Sequence, residues 1–167
     1  EEAEKLHIEY VPLDTLYRES DVISLHCPLT RENDHMIDAR AIREMKDGVY
    51  IINTSRGKLI DTAALIAGLK SGKVGGACLD VYEEEGDYFF EDRSNGPIID
   101  DMLARLLSFP NVLVTSHQAF FTREAVRNIA SVTLENIRAY FESNELPNGI
   151  CEMCDGSKSC TAKPCGK

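Results

Sequence analysis

An arginine, two carboxylates and a histidine follow apolar, β-rich runs of this sequence at the points where strands are expected to end. These residues are Arg56, Asp80, Glu85 and His117. In a parallel α/β sheet the carboxyl ends of the strands meet at one edge, and ligands bind in the crevice beyond that edge. We therefore expect the four side chains to converge at one edge of one sheet.

This set of residue types suits the reduction of a 2-oxo acid. A planar guanidinium, here that of Arg56, binds a carboxylate through two parallel hydrogen bonds and polarises an adjacent carbonyl. An imidazole, here that of His117, donates a proton to the carbonyl oxygen as a hydride arrives and takes the proton back in the reverse direction. A carboxylate beside the imidazole orients the ring and favours its protonated form.

Each residue also has a structural explanation when it is taken alone. A lone strand-end arginine such as Arg56 is more often an ion-pair partner than a catalytic group. The run Glu83–Glu85 is typical of a solvated acidic loop, and Asp80 could cap the turn that follows it. A single histidine after a strand is also more often structural. The occurrence of all these residues at successive strand ends favours the catalytic interpretation.

Short β-rich runs alternate with amphipathic helical stretches from about residue 8 to residue 143. The predicted strands are Ile8–Val11, Val22–Leu25, Val49–Asn53, Gly76–Asp80 and Val112–Thr115. The predicted helices include Ala39–Lys46 with N-cap Asp38 and a stop at Gly48, Thr62–Ser71 with N-cap Asp61 and a stop at Gly72, and a long final helix, Arg123–Ser143. The continuously apolar run Val49–Asn53 predicts a strand covered on both faces. The alternation predicts an α/β fold, a Rossmann-like parallel sheet with flanking helices, and the acidic stretch from Glu83 to Asp101 is expected to be irregular.

Composition narrows the possible partners. The formal net charge of −10 disfavours nucleic acid and anionic membrane surfaces, because both attract clustered Lys and Arg. No apolar run approaches the roughly 20 residues that span a bilayer. The hydrophobic fraction of 43% is sufficient for a globular core.

The six cysteines fall into two groups. Cys27 and Cys78 lie in apolar, strand-like contexts and are expected to act as small core residues. The other four lie in a polar tail that begins at Asn144 and is expected to be flexible: Cys151, Cys154, Cys160 and Cys165. Zinc is an alternative for this tail, but the second pair has a looser spacing than the usual zinc knuckle, so no metal site is predicted.

Three segments carry a resemblance to a known family. They are Asn53–Asp61 (Asn-Thr-Ser-Arg-Gly-Lys-Leu-Ile-Asp), Gly76–Glu85 (Gly-Ala-Cys-Leu-Asp-Val-Tyr-Glu-Glu-Glu) and Asn111–Thr122 (Asn-Val-Leu-Val-Thr-Ser-His-Gln-Ala-Phe-Phe-Thr). With these motifs the sequence, from about residue 6 to residue 143, resembles the D-isomer-specific 2-hydroxyacid dehydrogenases. Within that family, the segments His117–Phe121 and Asp87–Asn95 are most similar to the fermentative D-lactate dehydrogenases.

The resemblance implies an NAD-dependent enzyme that reduces a small 2-oxo acid, pyruvate, to the D-2-hydroxy acid, D-lactate. It implies that Arg56 binds the substrate carboxylate and carbonyl, that His117 is the proton donor and that Glu85 is its carboxylate partner. Phe120 would pack near the methyl group of the substrate. The cofactor-binding residues implied are Cys27, Pro28, Asn33, Thr54, Ser55, Arg56, Asp80 and His117, with Asp80 at the nicotinamide end. The resemblance also implies a cytoplasmic protein that is a homo-oligomer when complete. The acidic charge, as stated above, disfavours nucleic-acid and anionic membrane partners.

The sequence departs from the family pattern at its start. The Gly-x-Gly-x-x-Gly turn and the acidic residue that reads the ribose do not occur in it, which leaves NAD and NADP open. We therefore expect an incomplete fold, with the first βαβ unit and the substrate domain before Glu1, and an inactive chain when it is isolated. Residues 1–143 would be the C-terminal part of the NAD-binding domain with the final helix, and residues 144–167 a Cys-rich tail. Ser116 stands where the D-lactate group more often has Gly, a small change.

Two alternatives stay open at this stage. One is a sibling enzyme of the same family that acts on another 2-oxo acid. The other is a non-catalytic family member that acts as a binding protein, which the acidic charge and the intact Arg56, Glu85 and His117 set disfavour.

Overall fold

Four parallel strands form one sheet in the part of the chain that the computed structural model describes, which is residues 5–6, 8–89, 96–143 and 148. The strands are β1 (Val22–Leu25), β2 (Val49–Asn53), β3 (Val74–Leu79) and β4 (Val112–Val114), and their order in the sheet is the order in the chain. Leu25 pairs with Asn53, Asn53 with Leu79 and Leu79 with Val114. The carboxyl ends of the strands are therefore level, and the loops after them leave from one edge.

Helices alternate with these strands, as the sequence predicts. They are α1 (Leu13–Glu19), α2 (Ala39–Glu44), α3 (Thr62–Ser71) and α4 (Asp101–Leu107), with short 3₁₀ helices at Gly57–Leu59 and Glu85–Asp87. Both predicted N-caps are confirmed, because Asp38 accepts a hydrogen bond from the Ala41 N–H and Asp61 accepts one from the Ala64 N–H. The predicted stop of α3 is confirmed as well, since Gly72 adopts the left-handed conformation with φ 77°.

Several element predictions are wrong in detail. Residues 8–11 form no strand, and Ile8 and Tyr10 are exposed. β propensity alone does not make a strand, which needs a hydrogen-bonded neighbour, and no described strand lies beside this run. The helix predicted over Ala39–Lys46 ends at Glu44, and Gly48, with φ 80°, lies in the separate turn that leads into β2. β3 begins at Val74 rather than Gly76.

The core lies on one face of the sheet, against the helices. Val49 and Ile51 of β2 are buried there together with Leu59, Leu65 and Val74. The expectation that β2 is covered on both faces is wrong for the described residues, because Tyr50 is 52% exposed and burial alternates along the strand. Alternation of this kind places one face of a sheet in the core and leaves the other open.

The chain divides into two compact units, Glu1–Ala119 and Phe120–Lys167. The second unit, taken by itself, contains α5 (Arg123–Ser143), which confirms the predicted long helix. Thr122 precedes it, and its hydroxyl oxygen accepts a hydrogen bond from the Ala125 N–H. Apolar residues recur along α5 at helical spacing, among them Val126, Ile129, Ile137 and Tyr140, but no residue of the helix is buried.

Some sequence predictions fall outside the described residues. They concern the cysteines of the tail and residues 90–95 of the stretch expected to be irregular. Among the residues that are described, no helix is both long and apolar enough to cross a membrane. The same part of the chain holds no group of three or more His, Cys, Asp or Glu side chains placed to bind a metal ion.

Candidate active site

The loops that follow all four strands are joined at the carboxyl edge of the sheet. The Ser55 hydroxyl donates to the carbonyl of Cys27 at 2.6 Å, which ties the end of β2 to the end of β1. The Asp80 N–H donates to the carbonyl of Asn53 at 2.9 Å, and the His117 N–H donates to the carbonyl of Asp80 at 2.7 Å. The structure thus brings together the strand-end segments that the sequence singles out.

His117 and Glu85 form a close pair at this edge. Nδ1 of His117 lies 3.0 Å from Oε1 of Glu85, and the two side chains are 31% and 19% exposed. An ionised carboxylate only accepts hydrogen bonds, so Nδ1 is the nitrogen that carries the proton in this contact. The other carboxylate oxygen, Oε2, accepts a hydrogen bond from the backbone N–H of Tyr82 at 3.1 Å. Glu85 is therefore held at both oxygens and can orient the imidazole ring.

The backbone of His117 is strained. Its φ is 52°, in the left-handed region that non-glycine residues rarely adopt. Such a conformation costs on the order of 1–3 kcal/mol and persists only where neighbouring contacts impose it. Here Asp80 imposes it, because its two carboxylate oxygens accept hydrogen bonds from the N–H groups of Gln118 and Ala119, each at 2.8 Å.

Asp80 is a buried carboxylate whose oxygens are engaged by the turn that carries His117. The Thr115 hydroxyl donates a further hydrogen bond to Oδ1 of Asp80 at 2.5 Å. Burial by itself would raise the pKa of Asp80, but the hydrogen bonds from Thr115, Ala119 and Gln118 outweigh that effect and hold the pKa below its ordinary value. Asp80 is thus the cap of a turn, the structural alternative considered above. Its place at the nicotinamide end of the cofactor stays a prediction.

Arg56 lies directly after β2 with an extended backbone and an exposed side chain. Its Nη1 donates to the carbonyl of Ser55 at 2.7 Å, and its own carbonyl accepts from the side-chain amide of Asn53 at 2.9 Å. The next residue, Gly57, packs tightly against Tyr82, since a Cβ at Gly57 would lie 2.1 Å from the Tyr82 carbonyl oxygen. The segment that carries Arg56 is therefore pressed against the loop that carries Glu85.

The predicted cofactor residues form a connected rim at the ends of β1 and β2. Asn33 closes the loop after β1, because its Oδ1 accepts from the Thr30 N–H at 2.7 Å and its Nδ2 donates to the Pro28 carbonyl at 2.8 Å. The hydrogen bond from Ser55 to Cys27 connects the two strand ends, and Thr54 beside Ser55 is exposed. The cofactor rim thus consists of Cys27, Pro28, Asn33, Thr54 and Ser55. Hydroxyl and amide groups at the carboxyl edge of a parallel sheet suit the ribose and nicotinamide portions of a dinucleotide.

Sequence reasoning missed two residues that organise this site. The N–H of Tyr82 holds Glu85, and its hydroxyl donates to Asp100 at 2.7 Å. The carboxylate of Glu83 contacts Thr62 and His35, so the solvated-loop interpretation of the acidic run is right only for Glu84, which is exposed. The bond between Tyr82 and Glu85 spans only three residues and is local. No local pattern identifies the other contacts, because their partners lie 18 or more residues away.

Phe120 is the first residue of the second unit and is 53% exposed. Its ring contacts that of Phe121 edge to face, with centroids 6.2 Å apart. The predicted place of Phe120 beside the methyl group of the substrate stays a prediction.

Comparison with known proteins identifies the class of this domain. Residues 1–119 match the family described as "D-isomer specific 2-hydroxyacid dehydrogenase, NAD binding domain". Together with the parallel sheet, this match defines a Rossmann-like NAD-binding domain that is partial relative to its homologues. The chain belongs to the D-isomer-specific 2-hydroxyacid dehydrogenases, as the sequence motifs indicated, and its cofactor is NAD.

Individual relatives are similar over most of this chain. The D-lactate dehydrogenase of Escherichia coli is 53% identical over 146 residues, which is 87% of this chain and 44% of that protein. The aromatic 2-oxoacid reductase of Clostridium sporogenes (strain ATCC 7955) is 53% identical over 139 residues, 83% of this chain and 42% of that protein. The crystal structure of the Aquifex aeolicus D-lactate dehydrogenase complexed with NAD and lactic acid superposes with a TM-score of 0.75 at 39% identity, covering 84% of this chain and 43% of that one. This chain therefore spans less than half the length of these relatives.

Proposed function

We propose that the complete protein reduces a small 2-oxo acid, pyruvate, to the D-2-hydroxy acid, D-lactate, with NADH. The observation that carries this proposal is the pair formed by His117 and Glu85, 3.0 Å apart at the carboxyl edge of the sheet. Arg56 follows the neighbouring strand end, and the residue types are those that bind and protonate a 2-oxo acid.

In this proposal Arg56 binds the carboxylate of the substrate and polarises its carbonyl. His117 donates a proton from Nε2 to the carbonyl oxygen, while Nδ1 stays with Glu85, whose charge stabilises the imidazolium. NADH supplies the hydride when it is bound. The product is the hydroxy acid, with one proton taken from His117, which is replaced from solvent before the next turnover.

The cofactor residues of the proposal are those of the rim, together with the strand-end groups beside it. They are Cys27, Pro28, Asn33, Thr54, Ser55, Arg56, Asp80 and His117. The bond between Ser55 and Cys27 supports a common role, because it keeps the ends of β1 and β2 together where a dinucleotide binds in parallel sheets. The Gly-rich turn that holds the pyrophosphate in such sheets does not occur among these 167 residues.

A second substrate class is supported by the comparison with the Clostridium sporogenes aromatic 2-oxoacid reductase. That protein is as similar to this chain as the Escherichia coli D-lactate dehydrogenase, at 53% identity each. Our preference for pyruvate rests on the segments that resemble the D-lactate dehydrogenases, with Phe120 as the apolar contact for a small methyl group.

The test is to express the complete protein from its gene and to measure kcat/KM for pyruvate and for phenylpyruvate with NADH. We expect turnover with pyruvate to exceed that with phenylpyruvate, and His117→Ala to remove most of it. A preference for phenylpyruvate would replace the substrate of the proposal. Absence of NADH oxidation with either acid would contradict the enzymatic function and favour a binding protein.

We also propose that the complete protein is a cytoplasmic homo-oligomer, which rests on the resemblance to its family. Size-exclusion chromatography with light scattering measures the first property, and cell fractionation measures the second. A monomer, or recovery outside the cytoplasmic fraction, would contradict the respective proposal.

A further inference from the structure

The carboxylate of Glu83 joins two segments that are distant in sequence. Its Oε2 accepts hydrogen bonds from the hydroxyl and the backbone N–H of Thr62, at 2.7 and 3.2 Å. Its Oε1 lies 2.8 Å from Nε2 of His35, which is 48 residues away in the chain. The Glu83 side chain is 21% exposed, so most of it is shielded from water.

The segments that Glu83 joins are those that carry the proposed binding residues. His35 belongs to the loop after β1, which contains Asn33 of the cofactor rim, and Thr62 begins α3, just after the segment that carries Arg56. The two segments also touch through their backbones. The His35 N–H donates to the carbonyl of Lys58 at 2.7 Å, and the Ile37 N–H donates to the carbonyl of Leu59 at 3.0 Å.

The backbone of Glu83 lies against the same place. A Cβ at Gly57 would be 2.6 Å from the Glu83 nitrogen, so the Arg56 segment and the loop after β3 are in direct contact. In that loop Glu85 reaches His117, while the exposed Glu84 lies between the two engaged carboxylates. Glu83 therefore lies where the loops after β1, β2 and β3 meet.

The pKa shifts of Glu83 and His35 support an ionic contact between the two side chains. Burial alone would raise the pKa of Glu83, but the hydrogen bonds from Thr62 and His35 lower it below its ordinary value. The hydrogen bond with Glu83 is the main reason why the pKa of His35 is raised, and the charges of Glu83, Asp34 and Asp61 act in the same direction. Near neutral pH the carboxylate is ionised and binds His35 most strongly when the ring is protonated.

We propose that Glu83 is a positioning residue, which holds the loop after β1 and the Arg56 segment against the loop that carries Glu85. Because of this contact, local unfolding of one of these three segments is coupled to local unfolding of the other two. This inference rests on the proposed function, since that function gives the three loops their roles. Neighbouring carboxylates then have different roles. Glu85 orients the proton donor, and Glu83 fixes the relative positions of the binding loops.

The first test measures amide hydrogen exchange by NMR in the 167-residue chain. In Glu83→Ala we expect the amides of His35, Thr62 and Tyr82 to exchange about tenfold faster, because hydrogen bonds to a partly buried carboxylate contribute about this much to the free energy of local opening. The amide of Ile51, in the centre of the sheet, reports whether the fold persists. Glu84→Ala is the matched control and should change none of these rates.

The result that would overturn the proposal is faster exchange at Thr62 alone, since that amide is bonded directly to Glu83. If Glu83→Ala loses protection at Ile51, Thr62→Val and His35→Ala replace it. Each removes one contact and should speed exchange at the other partner. Unchanged exchange at that partner would equally contradict the proposal.

The second test uses kinetics of the complete protein. Glu83→Ala should lower kcat/KM about tenfold for both NADH and the 2-oxo acid, because it releases both binding loops. The loss should lie chiefly in KM, whereas Glu85→Gln should chiefly lower kcat, because Glu85 contacts the proton donor. Glu83→Gln, which keeps an acceptor for Thr62, should restore part of the loss, and Glu84→Gln should behave like the wild type.

These two tests separate the two proposals. If the complete protein reduces no 2-oxo acid, the proposed function fails, and the exchange measurements still decide whether Glu83 couples the loops. If the protein is active and Glu83→Ala changes kcat/KM for only one of the two substrates, the coupling of the loops is wrong while the function stands.

Discussion

Replacing Gly57 with alanine adds one methyl group where the Arg56 segment touches the loop that carries Glu85. The new Cβ would lie 2.1 Å from the carbonyl oxygen of Tyr82, 2.2 Å from its carbonyl carbon and 2.6 Å from the Glu83 nitrogen. All three neighbours are backbone atoms, so no side chain can rotate out of the way. Since such contacts need about 3.0 Å, the two segments must separate by roughly 1 Å.

This displacement affects both stability and the site. Overpacking of a tight contact costs about 1–3 kcal/mol in the free energy of unfolding. The loop that is pushed away holds Glu85 through the Tyr82 N–H, at 3.1 Å, and Glu85 in turn holds His117. A misplacement of about 1 Å in groups that orient a catalytic residue lowers the rate by roughly 10²-fold.

The matched control is Gly86→Ala, in the same loop and directly after Glu85. A Cβ at Gly86 meets nothing within 4 Å, so its effect on stability should stay within about 0.5 kcal/mol. Urea unfolding of both variants of the 167-residue chain measures the first effect, and kcat/KM of the complete protein measures the second. The reasoning is refuted if Gly57→Ala matches Gly86→Ala in both measurements.

Four further predictions concern the site. Glu85→Gln should lower kcat for reduction, because the ring loses the carboxylate that orients it, and His117→Ala should lower the rate further, by roughly 10²–10⁴-fold. An unchanged kcat in Glu85→Gln would show that this pairing does not support the proton transfer. Asp80→Asn should destabilise the chain by about 1–3 kcal/mol, since an amide NH₂ cannot accept the hydrogen bond that Ala119 donates. The pKa of Asp80 is lower in the folded than in the unfolded chain. The difference in the free energy of unfolding between the wild type and Asp80→Asn should therefore be full above pH 3.8, the ordinary pKa, and disappear as the pH falls through the pKa of the folded state. Urea unfolding at several pH values measures this difference. Arg56→Lys should chiefly raise KM for the 2-oxo acid, because an ammonium does not reproduce a bidentate contact. The 167-residue chain by itself should oxidise no NADH in the presence of pyruvate, and measurable oxidation would contradict this.

Much of the fold is local enough to be predicted from the sequence. The runs Val22–Leu25 and Val49–Asn53 have strand composition, and Asp38 and Asp61 stand where a helix needs an N-cap. Alternating strands and helices of these lengths indicate a parallel sheet with crossover helices. The strand predicted at residues 8–11 is wrong because a strand needs a hydrogen-bonded neighbour, which local composition does not determine.

The sequence by itself determined which residues stand at the strand ends, since the parallel arrangement that it predicts puts Arg56, Asp80 and His117 at one edge. Tertiary structure alone decided how these residues are held. The left-handed backbone of His117, the turn around Asp80 and the contact of Gly57 with Tyr82 all depend on loops from different strands. The same holds for Glu83 and Glu85, which are identical side chains in one acidic run. They differ in their partners, His35 and His117, which only the folded chain brings within hydrogen-bonding distance.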